Sequence, residues 1–321
     1  MTMKRRHFLQ LAAGTAALSA LPSRAQEGLT LWGPPVAPTV LLAVAAEMGE
    51  ARKIMPFSVK SWKNPDQLRA GLLNKSISMS IVPSYVAANL RAQGQPVLLH
   101  NIMTHGLLSI MSKNDKLESF HHLVGQKIVM PFKGDMPDLV LQVLANKHQV
   151  SLENMVTYTA TPPESVALFL NKDFNHALLP EPLASASILR GKQSGVTVER
   201  SIKLDHLWNQ TFNTQHGIPQ AGLLVSESAL VEHKDFLQAL DGDLIRAVSW
   251  VMENRKTAAE MASRYMPAPI SALELSFEHA ALSAVRTKDI ADEVLQFLNI
   301  MHELNPKITG GKPVDSALFS T

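Results

Sequence analysis

Short apolar runs alternate along this 321-residue chain with amphipathic stretches of ten to fifteen residues. That alternation is the signature of strand–helix units. Strands are predicted at residues 29–32, 57–62, 77–82, 97–102, 107–111, 127–130, 156–159, 176–179, 196–200 and 222–225. Several of the intervening helices have legible starts. Asn64-Pro65-Asp66-Gln67, Thr161-Pro162-Pro163-Glu164 and Asp135-Met136-Pro137-Asp138 each place a capping side chain just ahead of a proline that can open a helix. From residue 228 to 304 the pattern is almost entirely helical. Strands alternating with helices imply parallel sheets covered on both faces.

The chain also echoes itself. Residues 73–87 align without gaps with residues 170–184, and Leu, Asn, Lys, Pro and Ala coincide at five of the fifteen positions. Each copy reads as helix end, turn, strand, proline, next helix. A looser echo pairs 31–42 with 130–141, at nearly the same offset, with Pro38 or Pro137 at the helix start. Any two strand–helix units share some of this character, but two echoes at one offset point to two lobes of similar build. The helices after Gly222 have no counterpart in the second half, so that segment should return to the first lobe.

Composition narrows the classes. With 46% hydrophobic and 18% charged residues the chain is globular in composition. The formal net charge of +2 is carried by Lys4, Arg5, Arg6 and Arg24, and without the first 25 residues 26 basic groups face 28 acidic ones. A mildly acidic body with no basic block argues against nucleic acid or an anionic membrane as the main partner. There is no cysteine, which excludes disulfides, thiolate nucleophiles and Cys-ligated metal. Residues 1–25 read as an export signal: a basic start, a short apolar stretch from Leu11 to Leu21, and Ser23-Arg24-Ala25 as a small-x-small cleavage pattern before Gln26. Arg5-Arg6-His7-Phe8-Leu9 resembles a twin-arginine signal, with an ordinary secretory signal as the alternative. Both routes lead to the periplasm. No later stretch has eighteen consecutive apolar residues.

In open α/β sheets ligands bind beyond the carboxyl ends of strands, against helix N-termini. The loops after the predicted strands supply the candidate ligand contacts: Trp32, Gly33, Pro34, Trp62, Ser84, Tyr85, Phe132, Lys133, Gly134, Asp135, Thr161 and Glu181. Four aromatics in such loops suit a cleft that packs against a flat or apolar solute, although each one alone would also serve to cover a sheet edge. Lys133 reads equally as a solvated lysine, Asp135 more readily as a helix cap, and Glu181 equally as an exposed charge. Among twelve histidines no spacing supports a metal site, and no catalytic motif is present. His105 is the histidine nearest the expected cleft.

The order of Ala70-Gly71-Leu72-Leu73-Asn74-Lys75, Val82-Pro83-Ser84-Tyr85-Val86-Ala87, Leu123-Val124-Gly125-Gln126-Lys127-Ile128 and Leu179-Pro180-Glu181-Pro182-Leu183-Ala184 resembles the substrate-binding proteins of bacterial ABC importers, nitrate/sulfonate/taurine-like branch. The resemblance runs over nearly the whole chain after residue 25. It implies an α/β, two-lobed type II periplasmic binding (Venus-flytrap) fold, each lobe a mostly parallel sheet covered by helices. The lobes would comprise residues 26–111 with 222–321, and residues 112–221. It further implies a monomer without cofactor that delivers a small solute to a membrane permease and its ATPase. Branch members bind nitrate, sulfonates, bicarbonate, pyrimidines or riboflavin-like compounds, so the resemblance does not fix the ligand. The Pro-, Gly- and aromatic-rich loops with a single lysine favour an organic solute, sulfonate or heterocycle-like. A thiamine-pyrimidine synthase-like enzyme shares these lobes, but that family carries a cysteine-rich motif and works in the cytoplasm. A ligand-sensing adaptor is the third reading.

Overall fold

The computed structural model describes residues 28–171 and 174–320, so the expected export signal lies outside the described residues. Twelve strands are present among the described residues: β1 (Leu29–Gly33), β2 (Phe57–Ser61), β3 (Met79–Pro83), β4 (Val97–Leu99), β5 (Asn101–Thr104), β6 (Leu108–Lys113), β7 (Ile128–Pro131), β8 (Val156–Thr159), β9 (His176–Pro180), β10 (Val198–Lys203), β11 (Ala221–Ser226) and β12 (Leu282–Arg286). Every expected strand overlaps an observed one, and the stretch 97–102 divides into β4 and β5. β12 was not expected, because it interrupts the segment whose pattern reads as helical.

The strands form two sheets, one ordered β12-β5-β11-β3-β1-β2 with β4 against β11, the other β10-β6-β9-β7-β8. Among the twelve strands, parallel pairing is confined to β2-β1-β3 and β8-β7-β9. The remaining neighbours run antiparallel, so each sheet is mixed rather than mostly parallel. The internal echo maps onto this arrangement. β3 and β9, the strands of the first echo, hold equivalent places, as do β1 and β7 of the second. Each parallel trio is then extended by an antiparallel strand beside a chain crossing: β6 lies against β9 and β11 against β3. The chain passes from the first sheet to the second between Thr104 and Leu108.

Helix Thr39–Met48 is buried from Thr39 to Ala45, since sheet lies on one side of it and helix Lys234–Glu253 on the other. One apolar cluster fills this outer layer of the first lobe, a second holds the outer layer of the other around Phe169, and a third is continuous between lobes. Helix Ala291–Leu304 packs on helix Ser84–Ala92 of the first lobe and on helix Met136–Lys147 of the second. Its Phe297 meets Trp208 edge to face at 5.3 Å. The C-terminal segment, expected to belong to the first lobe, thus braces both.

Asp243 illustrates how polar groups hold this layer. Fully inside helix Lys234–Glu253, its carboxylate accepts the N–H groups of Glu50 and Ala51, each at 2.8 Å, and Arg246 at 2.6 Å. It caps helix Ala51–Ile54 from a distance of nearly two hundred residues in sequence. Asp243→Ala strands two backbone donors, each costing about 1–3 kcal/mol when buried. Chemical denaturation should show a loss of about 3 kcal/mol, with Asp243→Asn losing clearly less because one acceptor oxygen remains.

Candidate functional site

The carboxyl ends of all six parallel strands open onto one cleft of about 580 Å³ between the sheets. From the first lobe come Pro34, Pro35 and Val36 after β1, the Trp62–Pro65 turn after β2, and Pro83 at the end of β3. The second lobe contributes Pro131, Phe132, Asp135, Met136 and Pro137 after β7, Ala160 to Pro163 after β8, and Pro180, Pro182 and Leu183 after β9. Leu107, Leu108, Gln220 and Ala221 form its floor at the two chain crossings. Pro267 and Ala268 approach from the loop ahead of helix Ile270–Ser276.

Eleven of the lining residues are prolines, and only Lys63 and Asp135 are charged. Helix openings account for part of this. Pro65, Pro137 and Pro162 each stand in a first helical turn, where a missing N–H costs nothing.

The lobes touch across the cleft. Tyr85 Oη donates to Asp135 Oδ1 at 2.5 Å, and the Ala37 N–H reaches the Glu181 carbonyl at 3.3 Å. Asp135 also caps its own helix through the Met136 N–H at 2.8 Å. Burial, followed by the adjacent Asp135 charge, pushes the Tyr85 phenol well above its ordinary pKa, so the hydroxyl remains a donor. Phe132 takes a left-handed backbone conformation, φ +59°, a conformation that strains a bulky residue and that the Thr159 carbonyl and Asp135 N–H hold in place.

Of the twelve expected contacts, Pro34, Trp62, Phe132, Asp135 and Thr161 line the cleft. The others have different surroundings. Trp32 lies in β1 beneath the Lys60 ammonium, 5.8 Å from the ring centre. Gly33 clears the Thr39 side chain, which a Cβ would meet at 2.5 Å. Ser84 is buried and donates to the Pro219 carbonyl at 2.6 Å. Tyr85 reaches the cleft only through Asp135. Lys133 is exposed over the Tyr158 ring at 5.4 Å, and the Gly134 N–H is taken by Asp138 at 2.7 Å.

Glu181 is fully buried rather than exposed. Arg200 binds its Oε1 twice, at 2.8 and 2.6 Å, while Ser185 donates to Oε2 from both hydroxyl and backbone. Burial raises its pKa against the pull of these donors. Its partner Arg200 lies nineteen residues away on another strand, which the sequence pattern did not reveal. The floor residues Leu107, Leu108 and Gln220 were also missed, because they belong to the crossings rather than to strand ends. The Pro267-Ala268-Pro269 run was a readable break in an otherwise helical stretch.

His100 does not line the cleft. His100 shares hydrogen bonds with Asp241 (2.8 Å) and Ser320 (2.9 Å), and Arg286 reaches both partners. Serine, histidine and aspartate in contact invite a catalytic reading, but Ser320 is wholly inaccessible and the group ties the C-terminal segment to the first sheet. No group of metal-ligating side chains is found among the described residues.

Comparison with known proteins follows the fold. The profile of the NMT1-like family matches residues 66–266. The chain belongs to this family. Among curated proteins no sequence matches the chain. Similar solved structures include an ABC transporter from Parabacteroides distasonis, 18% identical with a TM-score of 0.77, covering 92% of this chain and 99% of that one. The periplasmic aliphatic sulphonate binding protein SsuA from Escherichia coli is 15% identical at a TM-score of 0.70, covering 89% and 94%. The periplasmic nitrate-binding protein NrtA from Synechocystis PCC 6803 is 14% identical, also at 0.70, covering 90% and 83%. The family member described here therefore has the fold of periplasmic binding proteins, as the sequence implied.

His105, the histidine expected nearest the cleft, lies buried in the crossing between lobes. Its Nε2 has no partner among the described residues, its ring is 5.9 Å from His216, and His216 pairs with Glu293 at 2.7 Å. Burial first, then the His216 charge, lowers its pKa to about 4. The unfolded chain, with an ordinary imidazole pKa of about 6.5, takes up this proton earlier than the folded one. The contribution is complete above about pH 6.5 and is lost as the pH falls toward 4, with a slope of at most about 1.4 kcal/mol per pH unit. Urea unfolding across this range should show the decline, and His105→Gln should reduce its slope, with His279, whose pKa is also lowered to about 4 chiefly by burial, carrying a further part.

Proposed function

We propose that this chain is the solute-binding component of an ABC importer, exported to the periplasm, where it captures a small organic solute, sulfonate or heterocycle-like, and delivers it to a membrane permease and its ATPase. The observation that carries this reading is the apolar cleft enclosed by all six parallel strand ends of two lobes joined by chain crossings. Such a cavity buries a small molecule when the lobes close. The binding role of the structural neighbours supports it, and we read the chain as a binder rather than an enzyme. Trp62 and Phe132 would pack against the solute, Pro34 and Thr161 would bound it, and Asp135 would join solute contact to closure through Tyr85. The protein acts as a monomer that presents its closed form to the permease.

A thermal-shift screen of the purified protein against sulfonates, nitrate, bicarbonate, pyrimidines, flavins and amino acids tests the reading. A ligand at a hundred times its Kd adds about 2.7 kcal/mol to the folded state, a rise of a few degrees for a chain of this size. Tyr85→Phe removes the bond between lobes while keeping the ring, and should weaken the binding of any hit about fivefold or more by lowering the closed population. A hit whose affinity is unchanged in both Tyr85→Phe and Trp62→Ala would place the solute elsewhere and contradict the proposal.

A further inference from the structure

The chain passes between the lobes twice, from β5 to β6 and from helix Leu204–Phe212 back to β11. Motion of one lobe against the other must be taken up in these crossings. His105 is where they converge. Its carbonyl accepts the Ile218 N–H at 2.6 Å, and its own N–H donates at 3.0 Å to the Ala281 carbonyl of the C-terminal segment. Gly217, at φ +89°, packs so close that a Cβ would meet the His105 carbonyl at 2.4 Å, and Gly106 lies as tightly on the Asp205 side chain. The His105 ring is 5.9 Å from that of His216, which pairs with Glu293 of helix Ala291–Leu304. Lys203 (3.4 Å) and His206 (3.8 Å) flank Asp205.

His105 Nε2, Asp205 Oδ1 and Glu293 Oε2 are buried at this junction without hydrogen-bond partners among the described residues. In a charged imidazole both nitrogens donate, and Nε2 has no acceptor within reach while the lobes stand as they do. Such a charge is accommodated only if the crossing moves or admits water. A second histidine repeats the arrangement. His279, in the turn Phe277–His279 on the first lobe, lies in the field of Arg200 and Lys203 from β10 and of Asp205, while its neighbour Glu278 is engaged by Arg255. Burial, then those two cations, lowers the His279 pKa to about 4, as burial and His216 do for His105. Once separated from these surroundings, both imidazoles return toward about 6.5. Protons therefore bind the parted lobes more tightly, and the bias toward them grows as the pH falls below about 6.5. Resting on the reading of the cleft as a solute site, we propose that this junction is an acid-sensitive hinge, at which charging His105 and His279 parts the lobes and releases the solute.

The test needs no solute. With nitroxide labels at Asp66→Cys and Lys133→Cys, on opposite lobes, pulsed electron–electron distances are compared at about pH 7.5 and about pH 5 on the intact protein. A longer mean distance in acid is expected, reversed at neutrality, with far-UV circular dichroism unchanged. Adding His105→Gln and His279→Gln together should hold the neutral distance at both pH values. Should that pair not fold, His279→Gln alone decides, and a smaller lengthening than in the labelled parent is expected. An unchanged distance in the parent, a full shift in the histidine variants, or a shift accompanied by loss of helical signal overturns the inference and leaves solute binding untouched. A pH-dependent distance in a protein that answers no solute in the screen above would overturn solute binding and leave the hinge standing.

Discussion

Each of the six parallel strands hands its chain to a helix through a proline-bearing turn, and these turns face one another. Proline fixes φ and removes a donor, so the turns are stiff and their backbones present carbonyls more than N–H groups. The cleft consequently has walls that keep their shape and little capacity to hold water by donation. Lobe contact through Tyr85 and Asp135 is then the principal polar link across an otherwise apolar gap. Closure becomes sensitive to whatever occupies the space beside Asp135.

The arrangement rests on a duplicated plan. β2-β1-β3 and β8-β7-β9 are the same three-strand parallel unit, and each is completed by an antiparallel strand next to a crossing. Because the crossings run through the cleft floor, the residues that connect the lobes also touch the space between them. Helix Ala291–Leu304 packs on both lobes, with Phe297 against Trp208. Carboxylates serve the frame more than the cleft: Glu181 holds Arg200 and its own helix start, and Asp243 caps a helix remote in sequence.

Much of this was legible in the pattern of the chain. The strands, the proline-opened helices and the echo between residues 73–87 and 170–184 follow from local periodicity and turn chemistry, which act over a few residues. Pairing direction was less legible, because β6 and β11 carry nothing in their own sequence that marks them as antiparallel insertions. β12 escaped because a five-residue strand among helices leaves too short a period to read. Among the loops after strands, five of the twelve expected residues line the cleft. Gly33, Ser84 and Glu181 are in the same loops but turned into packing, caps or an ion pair, and side-chain direction at a turn depends on partners such as Thr39, Pro219 and Arg200 that lie elsewhere in the sequence. Gln220 and Leu107 were invisible for the converse reason, being brought to the floor by the crossings alone.

The absence of cysteine makes the central claim, closure of two lobes on a solute, directly measurable. Asp66→Cys and Lys133→Cys, exposed positions on opposite lobes, would provide the only two thiols for nitroxide labels. Pulsed electron–electron distance measurement is then made with and without a cell extract of small molecules below 1 kDa. The account predicts that the extract shortens and narrows the distance distribution, and that dialysis restores it. An identical distribution in both conditions would contradict closure on a solute.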